Sequence, residues 1–296
     1  MSWLWRMALV GLLCIIASPT AIASPYHSHE QVNERLTQLA TQYKDIAKVH
    51  RVATTSQGRE VLALEVDRKG TFDSAAPVLL LHGGIHGNEW ISTEVVLHLV
   101  ELTLASNVGN DLRIHFVPIV NADGFAAGKR KAVDPKGVWY DANREFPVPY
   151  EKSLTQSRPL ISAFRAYATR GRLVGVLDYH APAECITWPF AFSRTREPDN
   201  AASLKTVVEE MARSVGYCFG QTASIIGYKH QATAQDYFAH EHGAAAVLME
   251  LGRLRGPETD YAPQELVEQE RPFRIFVAWL SAQIGSAPNP SKPVSE

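Results

Sequence analysis

Apolar residues fall into short blocks along the chain, separated by polar and glycine-rich stretches. Residues 29–43 form a polar amphipathic stretch, and two strand-like runs within 47–66 flank Ser56-Gln57-Gly58-Arg59, which predicts a hairpin. Residues 77–82 (PVLLLH) are almost wholly apolar and read as a buried strand, followed by a helix near 94–104 and a strand at 113–120. A helix near 160–169, a strand at 173–179, a helix at 201–215, a strand at 244–251 and a last helix at 263–284 complete the pattern. Apolar strands that alternate with helices predict an α/β layer fold around a mixed, largely parallel sheet. Polar residues gather where these strands end, which is where open sheets place their binding sites.

The two ends of the chain stand apart. Residues 1–23 carry Arg6, an apolar stretch from 7 to 17, and small residues at Ala21 and Ala23, the pattern of a secretory signal peptide cleaved before Ser24. That run is too short to span a bilayer and no other segment is long enough, so no stable membrane anchor is expected. Residues 285–296 (GSAPNPSKPVSE) predict a disordered tail. What remains, 24–284, suits one large domain, exported to the periplasm or secreted and acting as a monomer. The 29 Lys and Arg nearly balance the 31 Asp and Glu for a net charge of -2, so the chain lacks the electrostatic footprint of a nucleic-acid-binding protein. Outside the leader only Cys185 and Cys218 remain. An oxidising compartment permits one bridge between them, two buried free thiols are the alternative, and a four-thiolate metal site is excluded by number.

The candidate chemistry begins where strand 77–82 runs into a glycine-rich turn, LLLHGGIHGNEW, with His86 and Glu89 spaced His-x-x-Glu. Within one turn of chain that spacing can aim an imidazole and a carboxylate at a single ion. It also occurs at His27/Glu30 and His98/Glu101, where neither a strand edge nor glycines support a site and a solvated surface pair is expected. A catalytic zinc needs a third protein ligand and an open position. Strand 173–179 delivers His180 at its end. Asn143 and Arg144 stand together in DANREFP, a pairing of amide and guanidinium suited to clamping a carboxylate. Strand 244–251 is apolar but closes with Glu250, and a carboxylate at that position needs either a partner or a task.

Taken in order, HGGIHGNEW, NADGF, DANREFP, LDYHAP, IIGYKHQATAQDY and LMELG resemble the zinc metallocarboxypeptidase family, which includes pancreatic carboxypeptidase and exported bacterial members such as murein tripeptide amidases. Thr55-Ser56-Gln57-Gly58-Arg59 is similar to an early family segment, and Tyr228 stands 22 residues before Glu250, as the mobile tyrosine of the digestive members stands before the catalytic glutamate. The resemblance covers roughly residues 30–284. It implies a single-domain three-layer α/β/α sandwich with a mixed, mostly parallel sheet of about eight strands. It also implies one zinc ion held by His86, Glu89 and His180, with water in the open position.

By the same resemblance Glu250 is the general base, Arg130 stabilises the oxyanion, Asn143 and Arg144 bind the substrate's terminal carboxylate, and Tyr228 closes over it. Gln235 matches the floor of the side-chain pocket, acidic in members that prefer Lys or Arg ends and apolar in those that prefer large apolar ends; a neutral amide argues for neither extreme. The implied substrate is a peptide or muropeptide cut at a C-terminal peptide or isopeptide bond. A zinc deacylase of N-acyl amino acids and a non-catalytic zinc-dependent peptide-binding module are the rival readings. Three positions depart from the family pattern: Ala122, Ala181, and Glu145, whose charge beside the proposed clamp leaves substrate preference open.

Overall fold

In a computed structural model, which describes residues 26–147, 158–227, 231–252 and 263–286, the expected hairpin is β1 (Ala47–Thr54) and β2 (Glu60–Asp67), paired antiparallel. The other strands are β3 (Pro77–His82), β4 (Arg113–Val117), β5 (Ala132–Val133), β6 (Trp139–Tyr140), β7 (Arg172–His180), β8 (Cys185–Trp188), β9 (Cys218–Gln221) and β10 (Ala245–Glu250). Eight of them form one mixed sheet in the order β1-β2-β4-β3-β7-β10-β8-β9, while β5 and β6 make a small separate ribbon. The central strands β4, β3, β7 and β10 run parallel to one another, and β2 and β8 flank them antiparallel. This is the single-domain α/β arrangement that the sequence predicts. The apolar runs of β3 and β10 follow from burial on both faces.

The helices are α1 (His29–Gln42), α2 (Trp90–Ala105), α3 (Ala122–Ala126), α4 (Pro159–Ala168), α5 (Ala201–Val215), α6 (Thr222–Ile225), α7 (Ala234–His242), α8 (Pro263–Glu268) and α9 (Glu270–Ser286). Residues three apart on a strand face opposite ways, so Leu79 and His82 of β3 mark the two sides of the sheet. Leu79 meets Phe276 and Leu280 of α9 over Gly175, whose missing side chain makes room for them. α5 packs on α9, α2 joins α9 through His98 and Glu270 at 2.9 Å, and α1 joins α2 through Arg35 and Glu101 at 2.6 Å. On the other side His82 packs against Phe164 of α4, which in turn meets Phe238 of α7. Helices therefore cover both faces of the sheet.

Several boundaries differ from expectation for local reasons. The strand foreseen at 113–120 ends at Val117, because Pro118 cannot donate to the ladder. α2 begins at Trp90 rather than near 94; it is buried around most of its circumference, so amphipathic periodicity does not mark its start. The last helix is two helices, and α9 continues to Ser286, two residues into the predicted tail. β8, β9 and α7 were not foreseen; the strands are four residues long, and α7 (AQDYFAHEH) is polar in sequence yet largely buried. The predicted leader, tail residues 287–296 and Tyr228 lie outside the described residues. Among those described, no helix is long and apolar enough to cross a membrane.

Candidate active site

Three neighbouring parallel strands end at one edge of the sheet. β3 ends at His82, opposite Asp178 of β7, and β7 ends at His180, opposite Glu250 of β10. Past β3 the chain makes a tight turn: Gly84 has φ +58°, and its N–H is accepted by the Ser92 hydroxyl. That turn delivers His86 and then Glu89, which precedes α2 without capping it, so its carboxylate stays free for the cleft. The Nδ1 atoms of His86 and His180 face each other at 3.0 Å, with Glu89 Oε1 2.9 Å from the first and Oε2 2.9 Å from the second. All three side chains are buried. The other two His-x-x-Glu pairs do not come together: His27 binds Glu94, and His98 and Glu101 bind Glu270 and Arg35.

Two imidazole nitrogens and a carboxylate whose candidate ligand atoms lie within 4.8 Å of one another form the donor set of a catalytic zinc site. The residues present fit the ion that the sequence implies. Burial pushes Glu89 up, but the two imidazoles outweigh it and hold the carboxyl well below the usual carboxylate range, so both oxygens are ready to accept. Glu250 behaves in the opposite way: burial pushes it up, and the nearby His180 only partly offsets the rise.

The remaining predicted residues, Tyr228 apart, converge on a cleft of about 480 Å³, lined by His86, Glu89, Arg130, Asn143, Arg144, His180, Gln235 and Glu250 among others. Arg130 is reached through a chain of supports. Its carbonyl accepts from Gly87 N–H and from Asn121 Nδ2, each at 3.2 Å, and its guanidinium pairs with Glu89 and Asp141 at 3.2 Å. Thr55, Ser56, Gln57 and Arg59 all hydrogen-bond to the Asp123 carboxylate, so the early TSQGR motif fastens α3 and the Asn121 that caps it.

Gly87 lies directly on the Gly124 backbone, where a Cβ would collide with the carbonyl carbon and the following nitrogen. Gly87→Ala is therefore expected to push Arg130 and the turn apart and lower kcat/KM by about 10²-fold, the cost of roughly an ångström of misplacement. Steady-state kinetics on protein with a native circular dichroism spectrum checks this. A rate within twofold of wild type would show that the contact does not position the turn.

Asn143 is fixed by Ala234, whose N–H donates to its Oδ1 at 2.8 Å, and Arg144 donates to the Asn143 carbonyl at 2.7 Å. Glu145 is not among the residues lining the cleft; it pairs with Arg158 at 3.4 Å, which relieves the clamp of the extra charge suspected from sequence. Gln235 is in the cleft wall with its amide already committed, accepting from Thr222 Oγ1 at 2.8 Å and donating to the Thr187 carbonyl at 3.0 Å. Cys185 and Cys218, opposite each other on β8 and β9, are joined as a disulfide that lines the same cleft.

Two carboxylates behind the two histidines escape the sequence reading. Asp141 Oδ1 lies 3.2 Å from His86 Nε2, and Asp178 Oδ1 lies 3.0 Å from His180 Nε2. The signal for Asp178 was available, since residues two apart on a strand share a face. Asp141 approaches from a loop, and no local rule reveals it.

A twisted sheet that presents His, Glu and His at the carboxyl ends of its parallel strands, with a fourth carboxylate beside them, has the architecture of a metal-dependent hydrolase. The chain belongs to the zinc carboxypeptidase family, whose model matches residues 32–268. It is similar to carboxypeptidase B of Helicoverpa zea, 26% identical over 288 residues, covering 82% of this chain and 67% of that protein. Carboxypeptidase B of Astacus astacus is 29% identical over 106 residues, 34% of each chain. Carboxypeptidase D of Anas platyrhynchos is 22% identical over 290 residues, 85% of this chain but 21% of the relative. The crystal structure of carboxypeptidase A from Helicoverpa armigera shares the fold, with a TM-score of 0.78 at 19% identity over 88% of this chain and 75% of that one.

Proposed function

We propose that the protein is a zinc-dependent exopeptidase that hydrolyses the C-terminal peptide or isopeptide bond of its substrate. The observation that carries this reading is the meeting of His86, Glu89 and His180 beside Glu250, in a cleft that also holds Asn143 and Arg144. The first three would hold a zinc ion, which when bound would supply Lewis acidity toward a scissile carbonyl and a water reactive near neutral pH. Glu250 takes a proton from the attacking water and returns it to the leaving amine. Arg130 donates hydrogen bonds to the oxygen that gains charge as the carbonyl is attacked. Asn143 and Arg144 neutralise and orient the substrate's terminal carboxylate. Tyr228 is assigned the closing of the cleft by resemblance alone.

The rest of the cleft wall sets the preference. Among its described residues, Thr187, Thr222, Ile225, Ile226, Gln235 and Leu248 carry no charge, and the Thr187–Thr222–Gln235 group is internally hydrogen-bonded. A charged terminal side chain would lose hydration there without gaining a partner, so neutral ends are favoured. Export to an oxidising compartment is supported by the Cys185–Cys218 disulfide, and peptidoglycan-derived peptides are the natural substrates proposed there.

Incubating zinc-loaded protein with a mixed peptide and muropeptide library, read by mass spectrometry, is expected to show release of single C-terminal residues. Neutral ends should be cut with kcat/KM about 10-fold or more above Lys or Glu ends. Internal cleavage, or release of N-acyl groups without C-terminal trimming, would refute the exopeptidase assignment.

A further inference from the structure

His180 uses only one of its ring nitrogens toward His86 and Glu89. The other, Nε2, lies 3.0 Å from Asp178 Oδ1 and 3.2 Å from Asn143 Nδ2. The Asn143 amide cannot accept a proton there, because its oxygen already takes the Ala234 N–H and its Nδ2, a donor, is the atom turned to the imidazole. Asp178 is thus the acceptor beside Nε2 among the described residues.

The carboxylate is otherwise poorly supported. Asp178 is fully buried, and beyond the His180 contact neither of its oxygens has a hydrogen-bond partner among the described residues. Apart from His180, its charged or titratable neighbour within ion-pair distance is His82, opposite it in register on β3, with Nε2 3.4 Å from the same Oδ1. His82 is also fully buried, and neither of its nitrogens has a hydrogen-bond partner among the described residues. Its ring lies edge-on against Phe164. A carboxylate in such surroundings, with no Lys or Arg at ion-pair distance among the described residues, costs several kcal/mol unless a positive charge is close by. A metal cation held by the far side of the His180 ring supplies that charge.

We propose that Asp178 is a positioning residue of the metal site. It accepts the Nε2–H of His180, which fixes the tautomer with a bare Nδ1 aimed at Glu89 and His86, while His82 braces the carboxylate from the neighbouring strand. Outer carboxylates of this kind strengthen a histidine ligand and set its orientation. The inference rests on the zinc reading above, and it adds to the exopeptidase site a residue that touches neither substrate nor ion.

The test uses the full chain with Asp178→Asn, Asp178→Ala and, as reference, His180→Ala. Zinc affinity is measured by competition with a chelating dye, and thermal melting is followed on the metal-free proteins. Asp178→Asn is expected to weaken zinc about 10-fold and Asp178→Ala about 100-fold. Their metal-free melting temperatures are read beside the affinities, because Asp178 also pairs with His180 in the metal-free protein and its loss shifts that baseline. Wild-type zinc affinity in both variants, or lower metal-free stability with affinity unchanged, overturns the proposal and shows a merely structural residue.

If wild type takes up no zinc, or His180→Ala binds it as wild type does, the zinc reading itself fails, and this inference falls with it for that separate reason. Should both Asp178 variants fail to fold, the histidine nitrogen NMR of zinc-loaded wild type gives the answer. An Nε2 proton on His180 shifted downfield, as a carboxylate-bound N–H is, supports the assignment; an Nε2 proton at the position of an imidazole bonded to water, or a bare Nε2, overturns it.

Discussion

Glu250→Gln is expected to lower kcat by about 10³-fold while the protein keeps its zinc, within the roughly 10²- to 10⁴-fold that general acid–base catalysis contributes. At 1.36 kcal/mol per decade this is about 4 kcal/mol of lost transition-state stabilisation. Glutamine preserves the shape of the side chain at the end of β10 but cannot take a proton. Because Glu250 is opposite His180 in register and is not one of the three converging ligands, the metal site should survive the change. The same residue should shape the pH profile. Burial raises the Glu250 carboxyl, and a base works only when deprotonated, so kcat/KM should climb with pH through a limb above the ordinary carboxylate range. In Glu250→Gln that limb should vanish. Full turnover in the variant, measured with zinc content by atomic absorption, would remove Glu250 from the mechanism.

His180→Ala should abolish both zinc uptake and turnover. It leaves two ligands, His86 and Glu89, on a single turn, and a catalytic zinc site needs three protein ligands to fix its geometry. The clearest readout is the melting shift on adding zinc. A ligand that binds only the folded state at a hundredfold excess over its Kd stabilises by about 2.7 kcal/mol, so wild type should melt several degrees higher with zinc and His180→Ala should not respond. The comparison is made within each protein, because the substitution also strips Asp178 of its nearest partner and shifts the metal-free baseline. A zinc-induced shift in His180→Ala equal to wild type would place the ion elsewhere.

Much of this architecture is legible in short windows of sequence. The apolar run of β3 and the helix at 201–215 appear with their observed bounds, and β7 and β10 appear to within one residue at each end. Their periods and uninterrupted apolar character follow directly from burial. His86 and Glu89 are legible for a similar reason, since three residues of chain hold them on one turn and the surrounding glycines mark that turn as tight.

The rest depends on contacts between segments far apart in the chain. No local pattern states that β3, β7 and β10 lie side by side, yet that order sets His180 beside Glu250 and His82 beside Asp178. Whether Cys185 and Cys218 join, left open by their number alone, follows from the register of two four-residue strands too short to announce themselves. By resemblance Gln235 reads as a neutral amide on the pocket floor, but Thr222 and the Thr187 carbonyl take up its hydrogen bonds. Chain periodicity encodes which residues are buried and on which face. Strand order, register and the pairing of buried polar groups arise only when distant segments compete for the same interior, and here that competition brings His86, Glu89 and His180 to a single point.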